Sequence, residues 1–347
     1  MKALEVVEST FASDLPQGMQ ALASLAQGQD GAAPFSEQAH VEVIRAVNQH
    51  EAVPASAVKA FEARVADQLV GLAVLVLEGD TWVLEAAVSP QMRGQGIGLT
   101  LITSALKALE GQPLAAWIHG GPQEQTPALE AALAIAQHLG WKASRELYKL
   151  ELPLTEASRQ RILDLADQAQ LPQGLELITY SPEQAHHWVE LNARAFAHHP
   201  EQGRLTLKDL QVRTESAWFR PEGFFLVHVS DSTAEAESKC GSALAGYHWT
   251  KIPTDQGAEP EGEVYAIGID PRWQGRGLGK ALTLAGMAYL AQTTDEQGKA
   301  LDRIVLYVDA DNTAAVSLYR SLGFTPLTVD RQYRPGAPAE ATPSRSS

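Results

Sequence analysis

The sequence predicts an α/β protein built as two tandem copies of one domain. Each copy is a mixed, mostly antiparallel sheet flanked by helices, an α+β layering. Three observations lead there. A chain of 347 residues is long enough for about two domains. Strand-like and helix-like patterns follow one another in the same order in both halves. And segments recur at a nearly constant offset. Pro90 and Pro271 stand 181 residues apart, as do Gly98 and Gly279, while Leu139-Gly140-Trp141 matches Leu322-Gly323-Phe324 at 183. Three matches at half the chain length define an internal repeat.

The first domain, residues 1–152, opens with a strand over Leu4 to Val7. Helical periodicity follows over Leu15 to Gln27 and Ser36 to Gln49, with Ser36 placed to cap the second helix. Phe61 to Ala66, Leu69 to Leu77 and Trp82 to Val88 read as successive strands, with Glu78-Gly79-Asp80 as a tight turn. Leu99, Ile102, Leu106 and Leu109 mark a helix after Gly96. A short strand at Ala115 to Ile118, a helix from Thr126-Pro127 to Leu139-Gly140 and a strand at Leu147 to Leu152 complete the domain.

Residues 153–174 hold a charged helical piece between Pro153 and Pro172 and read as the linker. The second domain, 175–333, repeats the order. Its strands are predicted at Leu175 to Thr179, Phe224 to Val229, Ala243 to Trp249, Val264 to Ile269 and Ile304 to Val308. Its helices are predicted at Pro182 to Ala197, Leu207 to Ala217, Gly277 to Ala291 and Thr313 to Leu322. Ser230 to Gly241 reads as a polar loop, and the tail 334–347, rich in Pro, Ala and Ser, as disordered.

Composition narrows the function classes. The chain is 45% hydrophobic and 20% charged, as soluble globular domains are. A net charge of −15 argues against nucleic acid as a partner and would not oppose a cationic amine. No run is apolar enough to span a membrane, and MKALEVVEST lacks a signal core, so a cytoplasmic setting is expected. One cysteine, Cys240, excludes an internal disulfide framework and a cysteine-based metal site. The pairs His186-His187 and His198-His199 have no metal-site partner at helical spacing, so no metal is expected.

The chemistry is expected around Glu263 to Lys280, an apolar strand followed by Asp270-Pro271, a glycine-rich turn and a helix. Glycines on alternate positions let backbone approach a ligand, and the free N–H groups of the next helix favour a diphosphate. The spacing excludes a P-loop, because Gly279-Lys280 is followed by Ala281 and preceded five positions earlier by Gln274. It also excludes the dinucleotide fingerprint, because the last glycine position holds Lys280. Gln274 to Gly279 and Arg93 to Gly98 both read Gln/Arg-x-x-Gly-x-Gly, which resembles the acetyl-CoA pyrophosphate loop of the GNAT N-acetyltransferases.

A second stretch extends that resemblance. Asn312-x-x-Ala315-x-x-x-Tyr319-x-x-x-Gly323-Phe324 is similar to the family's second signature, whose Asn side faces the CoA arm and whose Tyr can protonate the departing thiolate. At the same offset the first domain has Leu129 and Ala136, so it is expected to keep the loop and lack the acid. Glu263, at the start of the strand before the loop, can take the proton an attacking amine loses. Its counterpart is Trp82, which cannot.

Four segments in the second half are more specific still: Phe196 to Gly203, Gly246 to Lys251, Glu263 to Pro271 and Leu306 to Val316. With a looser match at Pro34 to Gln38, they resemble the tandem-GNAT mycothiol synthase family over nearly the whole chain. That resemblance implies acetyl transfer from acetyl-CoA to the cysteinyl amine of cysteinyl-glucosaminyl-inositol, by direct attack, with Glu263 as general base and Tyr319 as general acid. It implies that Ile267, Gly268 and Ile269, the loop Gln274, Gly275, Arg276, Gly277, Leu278, Gly279 and Lys280, and Asn312, Thr313, Ala314, Ala315, Val316 and Ser317 hold acetyl-CoA. In the first domain the corresponding residues are Ala86, Ala87 and Val88, then Arg93, Gly94, Gln95, Gly96, Ile97, Gly98 and Leu99. Glu37, Glu201, Lys251, Glu263 and Tyr307 would contact the amine substrate. A monomer with a small-molecule amine partner is expected. Two alternatives stay open: a GNAT enzyme for another amine, such as a peptide N-terminus or an aminoglycoside, and a non-catalytic acyl-CoA sensor.

Overall fold

The computed structural model describes residues 5–48, 57–120, 125–197, 202–230, 244–254 and 260–336. By contact the chain divides into two compact units. The first comprises Met1–Tyr148, Asp309–Asp311 and Leu327–Ser347, the second Lys149–Val308 and Asn312–Pro326.

In the first unit the strands are β1 (Glu5–Glu8), β2 (Val58–Val65), β3 (Gln68–Glu78), β4 (Thr81–Val88), β5 (Leu114–Ile118), the first residues of β6 (Trp141–Pro153) and most of β12 (Thr325–Pro335). The helices are α1 (Leu15–Asp30), α2 (Glu37–Asn48), α3 (Ile97–Leu109) and α4 (Pro127–His138). Neighbouring strands run β1-β2-β3-β4-β5-β12. β1 with β2, β2 with β3, β3 with β4 and β5 with β12 pair antiparallel, and β4 with β5 parallel. One face packs Leu72, Val74 and Ala87 under Leu15, Met19 and Leu22 of α1 and Val43 of α2. The other packs Trp82, Leu84 and Leu75 under Ile97, Leu101 and Ala105 of α3. Caps fix where helices begin: the Ser36 hydroxyl accepts from the Ala39 N–H, and that of Thr126 from Leu129.

The second unit contains the end of β6, then α5 (Glu156–Gln168), β7 (Leu175–Thr179), α6 (Ala185–Ala195), α7 (Leu207–Thr214), β8 (Phe224–Val229), β9 (Leu244–Lys251), β10 (Glu261–Ile269), α8 (Leu278–Gln292), β11 (Arg303–Asp309) and α9 (Thr313–Leu322). The strand order is β11-β10-β9-β8-β7, antiparallel except for β10 with β11. Phe224, Tyr247 and Trp249 fill the face under α6 and α7, against Trp188 of α6, with the Phe224 and Trp249 rings stacked at 4.2 Å. Val227 and Ala245 line the face under α8, against Leu278 and Leu282 of that helix. The sheet-and-helix class is as the sequence predicts.

Several expectations change. The charged piece read as a linker is α5, which packs on α8, buries Ile162, and has an Arg159 guanidinium that donates to the carbonyls of Ala291 and Leu301. Pro182 starts a short 3-10 turn, with α6 beginning only at Ala185. The strand β12 is not legible from its pattern. The repeat sets residues 327–333 with the second half, whereas β12 pairs Arg331, Gln332 and Tyr333 with Ile118, Trp117 and Ala116. Arg334 and Pro335, expected in the tail, belong to it too. Residues 337–347, most of the loop Ser230 to Gly241, Cys240, and His198-His199 lie outside the described residues.

Candidate active site

The two glycine loops have one backbone conformation. Gly94 and Gly96 have φ of +75° and +79°, and Gly275 and Gly277 have +74° and +83°. Only glycine adopts this region without strain. In each unit the loop ends at the left-handed residue preceding a helix, α3 after Gly96 and α8 after Gly277. The first N–H groups of such a helix have no intrahelical acceptor, and in the second unit the loop that leads into them, Gln274 to Gly277, is exposed.

The side chains that open the loops brace them. Gln274 Nε2 donates to the Ile269 carbonyl at 3.3 Å, and Arg93 Nε to the Val88 carbonyl at 3.0 Å, so both reach five residues back. The Arg93 guanidinium is also paired with Asp30 at 2.6 Å and 2.8 Å. Sequence reasoning assigned Arg93 to a ligand, while its side chain is engaged by the protein. In the second unit the brace is Asp270, fully buried and bonded to Arg272 and to Arg194 at 2.9 Å. Burial alone would raise its carboxyl, yet the bonds from Arg272 and Arg194 prevail and hold it down, to about 2.

Both units part their parallel strands just before the loop. Pairing of β4 with β5 ends at Leu84 and Ala116, and pairing of β10 with β11 at Val264 and Leu306. Beyond that point β10 runs on to Ile269, and among the described residues its edge toward β11 carries backbone groups that no ladder uses. Ile267, Gly268 and Ile269 lie there.

A β-bulge separates the two units. The pairing of β3 with β4 is continuous, whereas that of β9 with β10 shifts between Val264 and Ala266, leaving Tyr265 as an extra residue. One residue of slip reverses which face a strand's side chains take. Trp82 therefore packs on the α3 face of its sheet. Glu263, its sequence counterpart, turns to the opposite face, the α6/α7 side shared by Tyr265, while Gly262 on the other side abuts Leu290 of α8. The bulge thus re-aims the carboxylate as well as allowing it.

On that face Lys251 stands directly opposite Glu263 across the ladder. Lys251 is buried, and its Nζ lies 5.2 Å from the Trp218 ring centre and 5.6 Å from that of Tyr265. Glu263 is cross-registered with Val305, so Tyr307, two residues on, shares its face. Tyr307 is 47% exposed, with Lys149 Nζ 5.6 Å from its ring centre. Of the other predicted substrate residues, Glu37 opens α2 and Glu201 lies outside the described residues.

In α9, Asn312 Oδ1 accepts from the Ala315 N–H at 3.2 Å, so the side chain expected to face a ligand also caps its helix. Thr313, Ala314 and Ser317 are exposed, and Val316 and Tyr319 are buried. Tyr319 packs against Phe324 at 5.8 Å, and burial pushes its phenol up to about 12. It stays protonated across the neutral range.

The first unit has a cavity of about 480 Å³ at its loop. Ala86, Ala87, Val88, Arg93, Gly94, Gly96, Ile97, Gly98 and Leu99 line it, which are all the predicted first-domain ligand residues except Gln95. Space alone does not locate chemistry, because Ala136 lines this cavity where the repeat places Tyr319 in the second unit. Titratable groups do occur beside it. His119 lies 3.3 Å from Asp330 and 3.4 Å from Glu85, whose other oxygen takes the Ser36 N–H and hydroxyl. Burial would lower the imidazole, but Asp330 and Glu85 outweigh it and hold it up, to about 10. A histidine kept cationic between two carboxylates is a tie across three segments, not a base. Sequence reasoning missed this group, since Asp330 comes from a strand it did not predict.

No group of His, Cys, Asp and Glu among the described residues could hold a metal ion, and no described helix is long and apolar enough to cross a membrane. A glycine loop at a helix start, beside a parted pair of parallel strands, occurs once in each unit. The acetyltransferase (GNAT) family profile matches residues 24–139 and 185–324, and the chain belongs to that family. Within it, the chain is 41% identical over 336 residues to the mycothiol acetyltransferase of Rothia mucilaginosa, covering 94% of this chain and 92% of the relative. It is 40% identical over 338 residues to that of an Arthrobacter species, covering 95% of each. Among solved structures, a tandem GNAT protein from the clavulanic acid biosynthesis pathway aligns at 22% identity with a TM-score of 0.65, over 97% of this chain and 100% of that one. A GCN5-related N-acetyltransferase from Sphaerobacter thermophilus aligns at 19% with a TM-score of 0.62, over 98% of each. These two establish the fold. The chain is an N-acetyltransferase, which sets aside the purely non-catalytic sensor.

Proposed function

We propose that the chain acetylates the cysteinyl amine of cysteinyl-glucosaminyl-inositol, giving mycothiol, with the chemistry in the second unit. Full-length relatives named mycothiol acetyltransferase support the substrate. The observation that supports the placement is the β10 bulge, which turns Glu263 onto the face of Lys251, Tyr265 and Tyr307.

Acetyl-CoA supplies the acyl group, and the residues present fit it. The N–H groups after Gly275 and at the start of α8 suit a diphosphate, and the parted edge of β10 suits an extended pantetheine arm. N–H groups among Ile267, Gly268 and Ile269 donate to the acyl oxygen as it gains charge. Glu263, directly or through water, takes the proton the amine releases on attack. Tyr319 holds a proton for the departing sulfur. A phenol pushed up to about 12 gives that proton only as charge develops on sulfur, so its role is confined to the bond-breaking step. The first unit keeps the loop and cavity for acetyl-CoA without an acid at Ala136 or a base at Trp82, and serves binding or architecture.

The test is the structure of the product. Incubation with acetyl-CoA and cysteinyl-glucosaminyl-inositol, followed by mass spectrometry, should place one acetyl group on the cysteinyl nitrogen. Acetyl on another atom, or acetylation only of a peptide or aminoglycoside, would replace this acceptor with another.

A further inference from the structure

We propose that Trp218 and Tyr265 form an aromatic shelf beside Glu263 that seats the carbohydrate part of the acceptor, an inference that rests on the acceptor proposed above. Trp218 follows α7, and Tyr265 is the extra residue of the β10 bulge. Their ring centres are 5.2 Å apart with planes at 54°, and both are only half buried. They are held from behind. Trp249, almost fully buried, lies 5.8 Å from Trp218 and 5.4 Å from Tyr265. Arg213 Nε donates to the Tyr265 hydroxyl at 3.1 Å, which sets the ring's tilt.

Three features suit this shelf to a polyhydroxylated ring. The C–H face of a pyranose or cyclitol is apolar and lies flat on an aromatic surface by burial and dispersion. Its rim of hydroxyls needs donors, and Lys251 Nζ is stationed over both rings. The shelf is also next to the base: Lys251 is the cross-strand partner of Glu263, two residues before Tyr265. An amine at Glu263 therefore places the rest of its molecule over the rings. The repeat supplies an internal control. At the offset of 181 the first unit has Trp82 for Glu263 and Leu84 for Tyr265, and Leu77 stands opposite Trp82, so two rings beside a cross-strand lysine are not repeated at the corresponding positions.

The experiment uses the full-length enzyme and two probes: cysteinyl-glucosaminyl-inositol as acceptor, and glucosaminyl-inositol, which lacks the amine-bearing cysteine, as a competitive inhibitor against it. Trp218→Leu is expected to raise both the KM of the acceptor and the Ki of the inhibitor by about tenfold, and to leave the KM for acetyl-CoA unchanged. A disturbance that merely displaced Glu263 would lower kcat and leave Ki where it was, and that result would overturn the shelf, as would a Ki within twofold of wild type. If Trp218→Leu does not fold, Trp218→Phe carries the test, with a smaller rise in Ki expected and no rise refuting the proposal. Should the wild-type enzyme ignore the sugar acceptor while acetylating another amine, the acceptor itself is wrong and the shelf falls with it.

Discussion

Gly268 is the position where a single methyl group tests the geometry most sharply. It sits on β10 beside Tyr247, and a Cβ there would lie 2.4 Å from the Tyr247 ring, where ordinary contact begins at 3.4 Å. Something must yield by about 1 Å. The ring cannot. Tyr247 is 1% exposed, its hydroxyl donates to Asn192 Oδ1 at 2.7 Å, and Trp188 packs on it at 5.4 Å. Asn192 is equally fixed, because its amide donates to the Gln202 carbonyl at 2.5 Å. The strand must therefore move, and with it the N–H groups of Ile267 to Ile269. Overpacking of this kind costs about 1–3 kcal/mol of stability. A shift of about 1 Å in a positioned group costs on the order of 100-fold in rate. Gly268→Ala is thus expected to fold with a lowered unfolding midpoint and to lose about two orders of magnitude in kcat/KM. Thermal unfolding and steady-state thiol release from acetyl-CoA measure the two effects. A variant with wild-type stability and activity within twofold would refute the claim that this strand edge is held rigidly for acyl transfer.

The remaining predictions concern charge and protons. Glu263→Gln is expected to lower kcat by about 10²–10⁴-fold while acetyl-CoA binding, followed by titration calorimetry, stays intact; an unchanged kcat at saturating substrates would remove Glu263 from the mechanism. Tyr319→Phe should likewise reduce turnover rather than binding. Because the phenol is pushed up to about 12, the wild type should show no loss of activity attributable to its ionisation between about pH 7 and 10; a descending limb in that range that vanishes in Tyr319→Phe would contradict this. His119, held up to about 10, favours the folded state fully below its unfolded value of about 6.5, and that contribution fades as pH rises toward 10. The drop in unfolding midpoint between about pH 6 and pH 9 should therefore be smaller in His119→Gln than in wild type, and an equal drop would contradict the ion tie.

What the sequence disclosed and what it hid divide along physical lines. The loops were legible because a left-handed backbone is written as glycine: Gly94, Gly96, Gly275 and Gly277 all take it. Helix starts were legible where a side chain caps them, as at Ser36 and Asn312. Strand β12 was hidden because Thr325–Pro335 is polar and begins with a proline pair-breaker, so only its partners make it a strand. The helix α5 was legible, but its charged face concealed that it packs on the domain, held by one buried isoleucine and one arginine. The bulge at Tyr265 was hidden most completely. It exists because β9 offers one residue fewer than β3 between the corresponding partners, Gly246 to Lys251 against Gly71 to Leu77. Counting offsets pairs Glu263 with Trp82, and only the register reveals that they face opposite ways. Trp218 escaped notice for the same reason, since its place beside Lys251 is set by the fold and not by any spacing.

The most direct test of the central claim is thiol release from acetyl-CoA by wild type and Glu263→Gln, each with and without cysteinyl-glucosaminyl-inositol. Acceptor-dependent release that is rapid in wild type and lost in Glu263→Gln is the predicted result. Acceptor-dependent release that survives in Glu263→Gln would move the chemistry away from the face the β10 bulge exposes, and wild-type release indifferent to the acceptor would contradict the proposed substrate.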